Sequence, residues 1–227
     1  MIDPVSDLRS VREATDRLLA AATGLGNAAV AGPSRLPGWT RGHVLAHISR
    51  NADALVNVLE GRPMYVTGEA RDADIERDAP RALSEQLDDL RATAARFQDA
   101  GAAPGDWERT VELRNGVTDR AARVPFRRLV EVELHHVDLG VGYELEDLPK
   151  EFTERETAFL ADRWSGRADV PPTRVLAGGG EWRTGGTDGA PVTVSGSPAD
   201  VLGWLSGRRA GSGLECAGGP LPVLPAL

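Results

Sequence analysis

The sequence has few of the features that mark secreted, membrane-spanning or nucleic-acid-binding proteins. It contains one cysteine, Cys216, so no intrachain disulfide is possible and a reducing compartment fits the chain. No run approaches the roughly 18 apolar residues of a membrane-spanning helix. The opening residues, MIDPVSDLRS, have neither the basic patch nor the apolar stretch of a signal peptide. We therefore expect a soluble, cytoplasmic protein.

Positive charge is also scarce relative to negative charge. The chain has 26 Lys and Arg against 34 Asp and Glu, a net charge of −8 at pH 7. Because so acidic a chain without a long basic run binds nucleic acids and anionic membranes poorly, we expect neither among its partners. No coiled-coil seam or long unpaired apolar stripe is evident, so we expect a monomer.

Glycine and proline are distributed unevenly along the 227 residues. They crowd the stretch 167–198, whereas the first 145 residues consist of long segments rich in Ala, Leu, Val, Arg and Glu. This change predicts two domains, 1–148 and 149–227. The predicted fold class is mainly α with α+β: an N-terminal four-helix bundle and a small C-terminal α+β domain.

Apolar residues at helical spacing predict four long helices in the first domain, at 6–31, 40–59, 72–100 and 125–141. Ala79-Pro80 is an alternative start for the third helix, and 107–117 reads as a short hairpin or an irregular loop. In the second domain we expect a helix at 151–166, short strands at 173–176, 181–184 and 192–195, and a helix at 199–206.

All four histidines lie within two of these helices: His43, His47, His135 and His136. His43 and His47 are four residues apart and share a helix face, as do Glu131 and His135. Two such pairs on different helices of a bundle can converge on one interior point, where bundle metal sites are built. His136 lies about 100° around the helix from His135, so we expect it to pack or to hydrogen-bond instead.

Imidazole nitrogen and carboxylate oxygen are suitable zinc ligands, and three protein ligands leave a fourth position for water or substrate. His47 and Glu131 both border an apolar stripe, where a bare imidazole or carboxylate is costly and a cation would offset that cost. The pattern therefore predicts one catalytic-type metal site. Spacing does not decide between His43 and His47, and a Glu–His pair at this spacing is also typical of a surface ion pair.

The motifs around these residues resemble the mycothiol-dependent maleylpyruvate isomerases, which belong to the DinB-like group of metal-binding four-helix bundles. The resemblance lies in LPGWTRGHVLAH at 36–47, NADAL at 51–55, PMYV at 63–66 with EAR at 69–71, and EVELHHVDLG at 131–140. VTVSGS at 192–197 and LSGR at 205–208 are similar to the small C-terminal domain of that family.

The resemblance implies a zinc site formed by His47, Glu131 and His135, because the ligand of the first motif is its second histidine. It also implies a catalytic arginine, which matches Arg208, although the neighbouring Arg209 leaves a one-residue ambiguity. Mycothiol is the implied thiol cofactor.

The implied reaction converts maleylpyruvate to fumarylpyruvate in the gentisate branch of aromatic degradation. A thiolate whose pKa is lowered by zinc adds to the double bond, allows rotation and is eliminated. Cations are needed for the substrate carboxylates and the developing enolate. Arg208 and, as a substrate-binding residue, Arg71 are the candidates.

Two other functions remain open at this stage. A mycothiol S-transferase of the same fold would use the same ligands, and a non-catalytic metal-binding module would bind zinc without turnover. Residues 63–71 and Arg208 favour the isomerase. Cys216 lies in a glycine-rich tail without a nearby histidine, which favours a surface or packing thiol.

Overall fold

A computed structural model describes residues 2–103 and 105–225. The chain divides into two compact units, Met1–Tyr143 and Glu144–Leu227. The first unit is helical and the second combines helices with a sheet, which confirms the predicted fold class. The domain bounds 1–148 and 149–227 stay a prediction, as does the metal-binding role of the first domain.

Four long helices form the bundle of the first unit. α1 packs against α5 and α6, and α3 packs against the same two helices. β1 and β2 form an antiparallel hairpin between α5 and α6. The elements are α1 (Pro4–Thr23), α2 (Asn27–Val30), α3 (Arg41–Leu59), α4 (Gly68–Asp78), α5 (Leu83–Ala102), β1 (Thr110–Glu112), β2 (Thr118–Arg120) and α6 (Val124–Leu139).

The ends of α3 and α6 follow from local sequence signals. Thr40 caps α3: its hydroxyl accepts a hydrogen bond from the His43 backbone N–H, while His43 Nδ1 accepts one from the Thr40 backbone N–H at 3.2 Å. Pro125 occupies the first turn of α6, and Gly140 ends that helix in the left-handed conformation (φ 64°, ψ 46°). The helix predicted at 40–59 thus begins where expected, with Thr40 as its N-cap.

Two of the predicted helices are broken. The helix predicted at 6–31 ends at Thr23, because Gly24 forms its C-cap and Gly26 is extended (φ −104°, ψ 167°). The helix predicted at 72–100 is two helices that meet at a corner containing Pro80, which cannot continue the hydrogen-bond ladder. Buried Asp78 fixes this corner by pairing with Arg81 at 2.6 Å.

The second unit contains a four-stranded sheet in the order β4-β3-β5-β6. β3 pairs antiparallel with β4 and parallel with β5, and β5 pairs antiparallel with β6. The last strand was not predicted, since its three residues are all exposed and carry no alternating pattern. The elements are α7 (Lys150–Arg163), β3 (Thr173–Ala177), β4 (Gly180–Thr184), β5 (Val192–Gly196), α8 (Pro198–Leu205) and β6 (Glu215–Ala217).

A search of the described residues for membrane-spanning segments finds no helix with the length and apolar character that crossing a bilayer requires.

Gly42 marks the closest approach of α3 to the corner between α4 and α5, since a Cβ there would overlap the carbonyl oxygen of Ala79. Gly42→Ala should lower the free energy of unfolding by about 1–3 kcal/mol, because two backbone segments would have to separate. Urea denaturation followed by circular dichroism would measure this loss.

Gly24→Ala is the matched control. Gly24 already has a helical backbone (φ −75°, ψ −7°), and the added methyl would meet Ala21 oxygen at an ordinary 3.6 Å. We expect its stability to be unchanged or raised by up to about 1 kcal/mol. Equal losses in the two variants would contradict a specific close approach at Gly42.

Candidate metal centre

His47 on α3 and Glu131 and His135 on α6 lie together inside the bundle. His47 Nε2 is 2.9 Å from Glu131 Oε2, and His135 Nε2 is 3.2 Å from the same oxygen. One ligand atom from each residue lies within 4.8 Å of the others. His47 is buried, and the other two are partly buried. The structure therefore brings together the three residues predicted to bind zinc, and their metal binding stays a prediction.

His43, the alternative that spacing left open, is not part of this cluster. Its Nδ1 lies 2.7 Å from the Thr40 hydroxyl, and its Nε2 lies 3.3 Å from Glu76 Oε2. Both ring nitrogens are thus engaged at the start of α3. The structure gives His43 the role of a helix cap.

Asp138 orients His135 from the side away from the cluster. Its Oδ2 lies 2.8 Å from His135 Nδ1, and its side chain is 2% exposed. A carboxylate in this position fixes the imidazole tautomer with Nε2 free to bind a metal. Sequence reasoning missed Asp138. Its position was nevertheless a signal: the helix dipole disfavours an anion in the last turn of a helix, so an acidic residue there, three positions after a histidine, indicates a specific partner.

Arg71 and Trp39 border the cluster at His47. Arg71 Nη2 lies 3.1 Å from His47 Nδ1, and its Nη1 lies 2.6 Å from Asp72 Oδ1. The Trp39 ring centroid is 5.4 Å from that of His47. Arg71, predicted from the motif alone, therefore lies beside the predicted metal ligands, and Trp39 shields one side of the imidazole from water.

Arg128 links α6 to α3 one turn before Glu131. It is fully buried, and its Nη1 donates to the Ile48 carbonyl oxygen and to Asn51 Oδ1, both at 2.8 Å. Burial lowers the pKa of Arg128 to about 10, against the opposing charge of Glu131. Sequence reasoning missed this residue, since a single arginine on a helix is usually exposed.

The pKa values of the three clustered groups are shifted in different directions. Burial lowers the pKa of His47, helped by the charges of His135 and Arg71. Burial also opposes charge on His135, but its hydrogen bonds to Asp138 and Glu131 outweigh burial and raise its pKa. Burial opposes ionisation of Glu131, yet the two imidazoles hold its pKa well below the usual value. Of the two imidazoles, His135 is therefore the one that binds a proton more readily, and Glu131 is the group that carries the negative charge.

The other residues singled out from the sequence lie elsewhere. Arg208 is in the second unit, directly after α8, where its Nη1 donates to the Ser206 carbonyl oxygen at 3.3 Å. His136 is buried and stacks on Tyr143 with ring centroids 4.0 Å apart. Cys216 is exposed on β6. A catalytic role for Arg208 stays a prediction.

Comparisons with known proteins identify the chain's relatives. A family model described as the mycothiol maleylpyruvate isomerase N-terminal domain matches residues 11–140. A crystal structure of the mycothiol-dependent maleylpyruvate isomerase is 27% identical with a TM-score of 0.87, and one of a histidine-to-alanine mutant is 26% identical with a TM-score of 0.89. Each match covers 99% of this chain and 97% of the other. No functionally curated sequence matches. These findings confirm the resemblance seen in the motifs.

The cluster predicts a pH-dependent contribution to stability in the metal-free protein. Because the pKa of His135 is raised in the folded state, its contribution is fully present below the usual histidine pKa of about 6.5 and is lost as pH rises through the raised value. The lowered pKa of Glu131 contributes stability above the usual glutamate pKa of about 4.3.

Glu131→Gln should therefore reduce the free energy of unfolding by about 2 kcal/mol near pH 6 and by less near pH 9. Urea denaturation in the presence of a chelator would measure both values. Glu76→Gln, which removes an exposed carboxylate beside His43, is the control and should show little effect at either pH. An equal or larger loss near pH 9 would contradict the assigned proton.

Proposed function

The chain belongs to the mycothiol maleylpyruvate isomerase family, and from this membership we propose that it is a zinc- and mycothiol-dependent isomerase that converts maleylpyruvate to fumarylpyruvate. The observation that carries the proposal is the convergence of His47, Glu131 and His135 in the bundle. Zinc and mycothiol are the cofactors of this proposal.

The donor set of the cluster fits zinc. Two imidazole nitrogens and one carboxylate oxygen are ligands of catalytic zinc sites, and bonds of about 2.0–2.1 Å in a tetrahedral site place ligand atoms roughly 3.3 Å apart. The nitrogens of His47 and His135 lie 2.9 and 3.2 Å from Glu131 Oε2, which is close to that separation. A zinc ion would replace the proton on His135 as the cation paired with Glu131.

Zinc would supply a lowered pKa for the mycothiol thiol, so that a thiolate can add to the substrate double bond, permit rotation and be eliminated. The chain's own residues would prepare the site. Asp138 would keep the proton of His135 on Nδ1, leaving Nε2 as the ligand atom. Trp39 would exclude water from one side of His47, which strengthens charge interactions there.

Arg71 would bind a carboxylate of the substrate. In the metal-free cluster its Nη2 can donate to His47 Nδ1 at 3.1 Å. When His47 is a ligand through Nε2, its Nδ1 carries a proton and can no longer accept that hydrogen bond. The guanidinium would then be available to a substrate carboxylate beside the reacting atoms.

Metal content per chain tests the proposed site. We expect about one zinc per wild-type chain and a loss of most of it in His47→Ala, because a three-ligand site would keep only two ligands. His43→Ala is the matched control and should retain zinc, since His43 caps α3. Elemental analysis of the purified proteins would measure this, and wild type that neither contains nor takes up zinc would contradict the proposal.

Product analysis with maleylpyruvate, with and without mycothiol, tests the reaction. We expect fumarylpyruvate and regenerated thiol only when mycothiol is present. A stable thiol adduct would instead indicate an S-transferase of the same fold, and tight zinc binding without turnover would indicate a non-catalytic module.

Arg208 and Arg209 provide a paired test of the proposed catalytic arginine. Arg209 forms ion pairs with Asp200 at 2.8 Å and with Glu146 at 2.7 Å, both in the second unit. These partners favour a role for Arg209 in stabilising that unit. Arg208→Ala should lower kcat/KM by about a hundredfold or more while leaving zinc content and unfolding midpoint near wild type. Arg209→Ala should chiefly lower the unfolding midpoint, and the reverse pattern would move the catalytic role to Arg209.

A further inference from the structure

The first unit contains a cavity whose lining residues have no role in the reaction steps described above. Its volume is about 520 Å³, and it lies between the segment that follows α3 and the β1–β2 hairpin. Residues 61–65, 67 and 68 line it from the segment, and residues 109–116 line it from the hairpin. A cavity of this size is typical of sites for drug-sized molecules.

Tyr65 connects this cavity to the metal cluster. Its ring lines the cavity, and the Arg71 guanidinium lies 6.0 Å from its ring centroid. Arg71 in turn lies 3.1 Å from His47 Nδ1. Tyr65 and Arg71 therefore form a short chain of contacts between the wall of the cavity and His47.

Three arginines line the cavity, but two of them are engaged in the fold. Arg62 donates to Asn57 Oδ1 at 2.7 Å and forms an ion pair with Glu60. Arg109 donates to the Leu59 carbonyl oxygen. Glu60 therefore compensates the charge of Arg62, whereas Arg109 keeps its positive charge and has one N–H group committed to the end of α3.

Glu112 and Arg114 are the charged lining residues whose side chains are not held by the fold. Both are exposed, and across residues 2–103 and 105–225 neither side chain makes a hydrogen bond or an ion pair. Buried Leu113, with an extended backbone (φ −109°, ψ −176°), separates them, so both side chains lie on the same side of the chain. These two unengaged side chains thus offer a ligand one anionic acceptor and one cationic donor.

This pairing favours a neutral ligand with several hydroxyl groups. A dicarboxylate would be attracted by Arg114 and repelled by Glu112, whereas hydroxyl groups can donate to the carboxylate and accept from the guanidinium. A small keto-dicarboxylate would also leave much of the cavity empty. Mycothiol, an N-acetylcysteine joined to glucosaminyl-inositol, carries two polyhydroxylated rings on the body of the thiol.

We propose that this cavity binds the glucosaminyl-inositol portion of the thiol cofactor, with Glu112 and Arg114 hydrogen-bonded to its hydroxyls and Tyr65 against a ring face. The assignment rests on the proposed function, because it assumes that the thiol sulfur reaches the cluster. It also gives a role to residues 63–65, which belong to one of the motifs that mark the family resemblance.

The test is calorimetric binding of N-acetylglucosaminyl-inositol, in which an acetyl group takes the place of the cysteinyl group so that the probe stays neutral, to the zinc-loaded protein. The double variant Glu112→Ala, Arg114→Ala should bind it at least about tenfold more weakly than wild type, since two charge-assisted hydrogen bonds are removed. Arg120→Ala removes an exposed arginine of the same hairpin outside the cavity and should bind like wild type. In turnover, the double variant should raise KM for mycothiol and leave KM for maleylpyruvate unchanged.

Equal binding by the double variant and wild type would overturn the assignment, as would an absence of binding to wild type. A rise in KM for maleylpyruvate alone would overturn it in favour of a substrate subsite. Because the binding measurement needs no turnover, failure of the cavity assignment can be distinguished from failure of the proposed isomerase function. Variant-sensitive binding in a protein that does not isomerise maleylpyruvate would retain the cavity assignment and defeat the proposed function.

Discussion

The contact on which the first unit depends is the carboxylate of Glu131 held between two imidazoles from two helices. His47 reaches it from α3 and His135 from its own helix, α6. A polar group inside a bundle is costly unless it has a partner, and here each of the three polar groups supplies a partner to another. The cluster therefore constrains the rotation of α3 and α6 about their axes, because turning either helix would bury an unpaired charge or imidazole.

Several further contacts hold α3 and α6 in this arrangement. Arg128 donates from α6 to the backbone and side chain of α3, one turn from Glu131. Gly42 allows the start of α3 to approach the corner between α4 and α5. Near this point Thr40 engages Nδ1 of His43 and Glu76 engages its Nε2, so the first histidine of the pair has a structural role and the second is left for the cluster.

The charges around the cluster also suit a site that exchanges a proton for a metal ion. Glu131 ionises readily and His135 binds a proton more readily than His47, so a divalent cation would take the place of that proton beside the Glu131 carboxylate. Asp138 behind His135 adds to this bias. Arg71 lies on the opposite side, at His47, where a cation suits an anionic substrate better than a metal. The cluster therefore has a negative charge on its His135 side, from Asp138, and a positive charge on its His47 side, from Arg71.

The sequence by itself determined the helical class of the first unit, the Thr40 cap and the pairing of Glu131 with His135 on one helix face. These features are local, because they follow from spacings of three or four residues and from capping and turn residues. The same reasoning ran α1 through Gly24 and merged α4 with α5, with Ala79-Pro80 only as an alternative start, because apolar spacing continues across both breaks. The second break is also held by a tertiary contact, the ion pair of Asp78 with Arg50 on α3 at 3.6 Å.

Helical spacing left His43 and His47 open and the family resemblance pointed to His47, whereas the tertiary structure shows which of the two side chains meets Glu131. Only the tertiary structure revealed Asp138, Arg128 and the cavity beside Tyr65. Apart from the contact of Asp138 with His135 on the same helix, these features depend on side chains that meet across long stretches of chain, such as His47 with Glu131, separated by 84 positions. A single sequence carries helix periodicity but not the rotation of one helix relative to another. That rotation places His47 against Glu131 and leaves His43 at the cap.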